Sequence, residues 1–180
     1  MTSLTLAPWS EQGLDLLHRQ NTTELTEHIG GPETAEQVRR RHEKYLGLDE
    51  GRMFLAVLDG RVVGSVGYWP REWGGQRVYE TGYGILPEHQ GRGLAVDAVR
   101  LCAAQAGRDG ASPWLHAFPS VHHDASNAVC RKAGFEWAGE CEFEYPPGHL
   151  MRSNDWRLAL TGPDTARGRA VPRGVSGGGS

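Results

Sequence analysis

The chain has 180 residues, 38% hydrophobic and 23% charged, the proportions of one soluble globular domain. No run approaches the ~18 consecutive apolar residues of a membrane span, and the N-terminus lacks the basic-then-apolar order of a secretory signal. With 22 acidic and 19 basic residues the formal charge is −3, and three of the arginines lie in the last twenty residues, so the body has no basic face for nucleic acid.

In chain order, Leu4–Ala7 alternates and predicts a first strand. Polar helices follow around Glu11–Arg19 and Glu33–Tyr45, the second with Val38, Tyr45 and Leu46 at helical spacing. His28-Ile-Gly30-Gly31-Pro32 breaks the helix between them. Met53–Leu58 and Arg61–Val66 flank Asp59-Gly60, which supplies the positive φ angles of a two-residue hairpin. Trp69–Gln76 reads as a connection and Val78–Ile85 as a strand. After Pro87 a glycine-rich turn leads into an amphipathic helix, about Gly93–Gly107. Trp114–Phe118 is then a strand parallel to the previous one, because a helix intervenes. A short helix capped by Asp124 or Ser126 ends at Gly134, with Ala125, Val129 and Ala133 facing inward. Phe135–Tyr145 and Asp155–Leu160 close the order as strands. The pattern is a mixed α/β sheet with one βαβ crossover. Residues 1–160 form one domain, and 161–180, rich in Gly, Pro, Arg and Ser, read as a disordered, linker-like tail.

Cys102, Cys130 and Cys141 are widely spaced with no CxxC, which argues for a reducing, cytoplasmic setting and against a cysteine zinc site. His116, His122, His123 and Asp124 show no HxxxH or HExxH spacing, so no metal is expected and they read as loop and cap residues.

The segment that carries chemistry is Gln90-Gly91-Arg92-Gly93-Leu94-Ala95, between a strand and a helix. A glycine-rich turn there aims backbone N–H groups at an anion, and the helix dipole favours the same charge. No Gly-Lys-[Ser/Thr] triplet makes it a Walker A loop, and neither Gly82-x-Gly84 nor Gly91-x-Gly93 completes a dinucleotide fingerprint. Gln90-x-x-Gly93-x-Ala95 completes a third pattern, Q/R-x-x-G-x-G/A.

With Ala125–Ala133 and Gly134-Phe135 downstream, this segment resembles the acetyl-coenzyme-A signatures of the GNAT acetyltransferase superfamily, and most closely its ribosomal-protein N-terminal acetyltransferase branch. The resemblance spans residues 4–160. It implies a mostly antiparallel twisted sheet flanked by helices, in a monomer or homodimer. It also implies direct acetyl transfer from acetyl-CoA to a primary amine of a small molecule, peptide or protein. By the same resemblance, Ile85 and Leu86 supply backbone donors to the thioester, and the amides of Gly91, Arg92, Gly93, Leu94 and Ala95 hold the pyrophosphate. Arg92 and Arg131 are candidates for the outer phosphates.

Glu80, on the strand that meets the thioester, is either the base or an edge carboxylate. Ser126 is either the proton donor to the leaving thiolate or a cap hydroxyl. Relatives place a tyrosine where this chain has Cys130, and an asparagine where it has His123, which could still donate a hydrogen bond. Cys130 is the residue that would support a covalent route. Gly30 and Gly31 fall where the family lines its acceptor site. Trp69 and Trp73 are either sheet cover or acceptor pocket. Glu140, Glu142 and Glu144 form either a solvated face or an acidic wall for a cationic acceptor. The missing tyrosine and asparagine leave one rival, an acyl-CoA-binding regulatory protein without turnover.

Overall fold

The computed structural model describes residues 3–161, so the predicted tail beyond Thr161 lies outside the described residues. The elements are β1 (Leu4–Pro8), α1 (Gln12–Gln20), α2 (Thr23–Thr26), α3 (Ala35–Leu46), β2 (Arg52–Leu58), β3 (Arg61–Trp73), β4 (Gln76–Ile85), α4 (Leu94–Asp109), β5 (Trp114–Ala117), α5 (Asp124–Ala133), β6 (Glu136–Glu144) and β7 (Leu150–Ala159). Short 3-10 turns at Glu27–Ile29 and Pro87–His89 extend α2 and precede α4. The sheet runs β1-β2-β3-β4-β5-β7-β6, antiparallel except for the parallel pair β4–β5.

Both faces of the sheet are covered, which explains the unbroken apolar run of β2. Phe54, Ala56 and Leu58 join the core under α4, which includes Val63, Val66, Tyr68, Val99 and Leu115. Met53 and Leu55 turn the other way, against Trp9, Leu16, Leu17 and Val38 of the α1–α3 layer. The β2–β3 turn has φ 50° at Asp59 and 75° at Gly60, as the Asp-Gly pair requires.

Several expectations are corrected. Trp69–Gln76 is not a connection: β3 runs to Trp73 and turns at Gly74-Gly75 into β4. Pro70 is tolerated because β2 pairs no further than Tyr68, and its register with Tyr79 is a non-hydrogen-bonded one. The last strand begins at Leu150, well before Asp155. Leu46 is 45% exposed. On α5, Asn127, Cys130 and Ala133 are buried while Ala125 is exposed. Neither Asp124 nor Ser126 caps that helix; the N-cap is His123, without a side-chain bond. Among the described residues no helix is long and apolar enough to cross a membrane.

Candidate active site

The site follows from where β4 and β5 part. They pair only at Tyr79↔Leu115 and Glu80↔His116. From Thr81 to Ile85, β4 continues against β3 alone, while β5 follows β7. A gap therefore opens at the C-terminal ends of the parallel pair, where α/β sheets bind ligands.

The backbone donors along the gap are set by strand register. Leu86 donates its N–H to the Val63 carbonyl at 2.9 Å, so that amide is taken and Leu86 is removed from the expected thioester donors. Bonded and non-bonded pairs alternate in an antiparallel ladder, so Ile85 and Tyr83 turn their N–H groups away from β3 and into the gap. Gln90 donates through Nε2 to the Ile85 carbonyl at 2.9 Å and so ties the turn to the end of β4.

Gly91 and Gly93 have φ of 75° and 77°, a backbone that other residues adopt only with strain, and a Cβ on either would meet open space. The first α4 bond runs from the Asp97 N–H to the Gly93 carbonyl, so the preceding amides have no intrahelical partner. Gly91, Arg92 and Gly93 are exposed, Leu94 is buried and Ala95 is half-buried. An exposed turn with unpaired amides at the start of a sixteen-residue helix fits a pyrophosphate.

On the α5 side of the gap, the Tyr83 hydroxyl lies 2.8 Å from Ser126 Oγ, 3.1 Å from the Ser126 carbonyl and 3.3 Å from Cys130 Sγ. Burial pushes Tyr83 well above the ordinary phenol range, so its proton stays on. Burial also pushes the Cys130 thiol to about 11, which keeps it a thiol at neutral pH. Sequence reasoning missed Tyr83; the available signal was strand alternation, which sends it to the same face as Tyr79 and Ile85.

His123 is half-buried and stacks on His28, with ring centroids 4.4 Å apart. Burial and the neighbouring His28 hold it below the usual imidazole range. Arg92 is exposed, and exposed Arg131 leans over the Trp156 ring at 5.7 Å.

The opposite face of the gap carries charge. Glu80 is buried, and its Oε2 accepts from Trp69 Nε1 at 3.1 Å and from Arg71 Nε. Trp69 also lies over Gly82, where a Cβ would come within 2.8 Å of its ring, so it is both sheet cover and partner of Glu80. His116 Nδ1 lies 2.6 Å from Asp155 Oδ1, and Trp73 donates to Asp155 Oδ2 at 2.9 Å. His116 is therefore not a loop or cap residue: it is buried in β5. Gly30, at φ 96°, packs against Pro146, which brings the α2 segment to the β6–β7 turn; Gly31 donates to the Thr26 carbonyl.

Glu142 does not line this face. Phe143 stacks on Phe118 there at 4.5 Å, so its neighbours Glu142 and Glu144 project from the other side of β6, exposed. A depression of about 430 Å³, lined by Trp9, Tyr45, Arg77 and Asp109, sits at the far end of β4, away from the gap and its unpaired donors.

The profile of the Acetyltransferase (GNAT) domain family matches residues 3–136. The chain belongs to the GNAT acetyltransferases. Among solved structures, this GNAT chain resembles RimL, the ribosomal L7/L12 α-N-protein acetyltransferase, in complex with coenzyme A. The TM-score is 0.73 at 19% identity, over 89% of this chain and 96% of that one. The Salmonella typhimurium acetyltransferase that modifies the N-terminal serine of L7/L12 gives 0.72 at 18%, over 89% and 96%. Aminoglycoside acetyltransferase AAC(6')-Ib with coenzyme A gives 0.71 at 20%, over 87% and 95%. At these identities the likeness is one of fold. No curated protein sequence matches this chain.

Proposed function

We propose that this GNAT domain is an amine N-acetyltransferase that uses acetyl-CoA and transfers the acetyl group directly to a primary amine. The observation that carries the reading is the β4–β5 gap, open at one end onto the unpaired amides of Gly91–Ala95 and at the other onto the Glu80 face. Acetyl-CoA bound there supplies an acetyl thioester. The turn amides, with Arg92 and Arg131, hold its phosphates, and His123 borders the same path. The Ile85 N–H, fixed in place by the strand, stabilises charge developing on the carbonyl oxygen without reorganisation. The Ser126 and Tyr83 hydroxyls, on the α5 side of the gap, would supply the proton to the leaving sulfur. Cys130, held as a thiol by burial, is a poor nucleophile at neutral pH, which favours direct transfer.

Glu80 keeps Oε1 free of the Trp69 and Arg71 bonds and serves as counter-ion to an incoming ammonium. Buried Glu80 and half-buried Asp155 on this face favour a cationic acceptor. RimL and AAC(6')-Ib are named for acting on a protein N-terminus and on aminoglycosides, both primary amines.

Thermal unfolding with acetyl-CoA, NAD and ATP tests the coenzyme. At 100 times its dissociation constant a ligand adds about 2.7 kcal/mol, a rise of roughly 5–11 °C for a domain of this size. That rise with acetyl-CoA alone is expected; its absence overturns the reading. Serine-initiated peptide, kanamycin and spermidine then test the acceptor. Coenzyme binding with no amine acetylated would favour a binding protein without turnover.

A further inference from the structure

The geometry points to His116 as the group that takes the proton from the acceptor amine. This rests on the acetyltransferase reading and assigns a step for which Glu80, already paired with Arg71, is the other candidate. Glu80 and His116 are register partners on adjacent parallel strands at the point where the gap begins, so their side chains rise side by side from one face. One oxygen of Glu80 already accepts from a guanidinium and an indole.

His116 is arranged differently. Its Nδ1 faces Asp155 Oδ1 at 2.6 Å, and Trp73 fixes the other oxygen of that carboxylate at 2.9 Å. An ionised carboxylate only accepts, so the Nδ1 edge donates to Asp155 and Nε2 is the nitrogen left to meet an amine; in the neutral ring it holds the lone pair. Nε2 has no hydrogen-bond partner among the described residues, and it is not one of the sealed polar atoms, which are His89 Nδ1 and Ser153 Oγ. Phe118 stacks on the ring at 5.7 Å and fixes its plane. A histidine oriented by a carboxylate, with its second nitrogen bare at a cleft, is the arrangement of a general base. The charged and titratable groups around it are Asp155 on β7, Glu80 on β4, Arg71 on β3, Arg157 opposite it in register and Cys141 beside Asp155.

The step balances. Nε2 accepts one proton from the ammonium and later returns it to solvent. The freed lone pair forms the C–N bond as the C–S bond breaks, and a second proton leaves nitrogen as one is delivered to the thiolate sulfur.

His116→Gln and Asp155→Asn test the assignment. With the serine-initiated peptide, each is expected to lose about 10²-fold in kcat near neutral pH. The acetyl-CoA thermal shift should be unchanged and the deficit should narrow above about pH 8, where the peptide's α-amine, with a pKa of ~7.7–8.0, is deprotonated without help. A merely structural pair would give a loss independent of pH, and that result would overturn the proposal. A second measurement needs no acceptor: ring ¹⁵N shifts of His116 in the wild-type protein at pH 8. A protonated Nδ1 with a bare Nε2 is expected; a proton on Nε2 overturns the assignment. If acetyl-CoA gives no thermal shift, it is the acetyltransferase reading that fails, whatever the ring shifts show.

Discussion

Gly93 owes its identity to one backbone angle. At φ 77° an alanine is strained by about 1–2 kcal/mol, and the turn relieves that strain by moving the amides that face the anion. Gly93→Ala is expected to raise the acetyl-CoA KM about tenfold with a smaller change in kcat, read from initial rates. Tyr83 makes the opposite case, a side chain whose value lies in its hydroxyl. Tyr83→Phe removes the hydroxyl that lies against Ser126 Oγ and Cys130 Sγ. It should lower kcat about tenfold while acetyl-CoA binding stays intact in a calorimetric titration. Cys130, with its thiol pushed up to about 11 by burial, is poorly suited to carry an acyl group at neutral pH. Incubation with acetyl-CoA alone should leave the intact protein mass unchanged, and initial rates against both substrates should intersect rather than run parallel.

At the scale of elements, α3 is held by a capping box: Thr34 Oγ1 accepts from the Gln37 N–H while Gln37 Oε1 accepts from the Thr34 N–H. Thr34→Ala should cost about 1 kcal/mol in urea unfolding. The charged alternation of β6 was plain in the sequence, but which way it faced was not. A strand pattern gives two faces and no label, and the stacking of Phe143 on Phe118 assigned the carboxylates to solvent. The same holds for α5, where Asn127 is buried because its amide bonds the Ser120 and His123 carbonyls and its Oδ1 accepts from Trp156 and Asn154. Ala125, apolar but without such partners, stays outside. Hydrophobicity alone places Ala125 inside, where the structure leaves it exposed.

Across the whole molecule, Asp109 at the end of α4 accepts from Tyr68 of β3 and Arg52 of β2, closing the helix layer onto the sheet. Burial by itself would raise its pKa, but those donors win and hold Asp109 below the usual carboxylate range. A depressed folded value means the contribution is present above the unfolded pKa of ~3.9 and is lost as pH falls through the folded value. The stability gap between wild type and Asp109→Asn, measured by urea unfolding, should therefore shrink from about pH 5 to about pH 3.

The sequence by itself determined the order of elements, the Asp59-Gly60 hairpin, the parallel crossover and the anion-binding turn. Each depends on residues close together in the chain, through periodicity, a positive φ or a helix N-terminus. Only the tertiary structure decided which groups met across the gap. That Leu86 spends its amide on Val63, that Tyr83 reaches Ser126, and that His116 is oriented by Asp155 all follow from strand register and the β4–β5 divergence. His116 and Asp155 lie on strands separated by a helix and by β6, so no local pattern could bring them together; the pairing of β5 with β7 did.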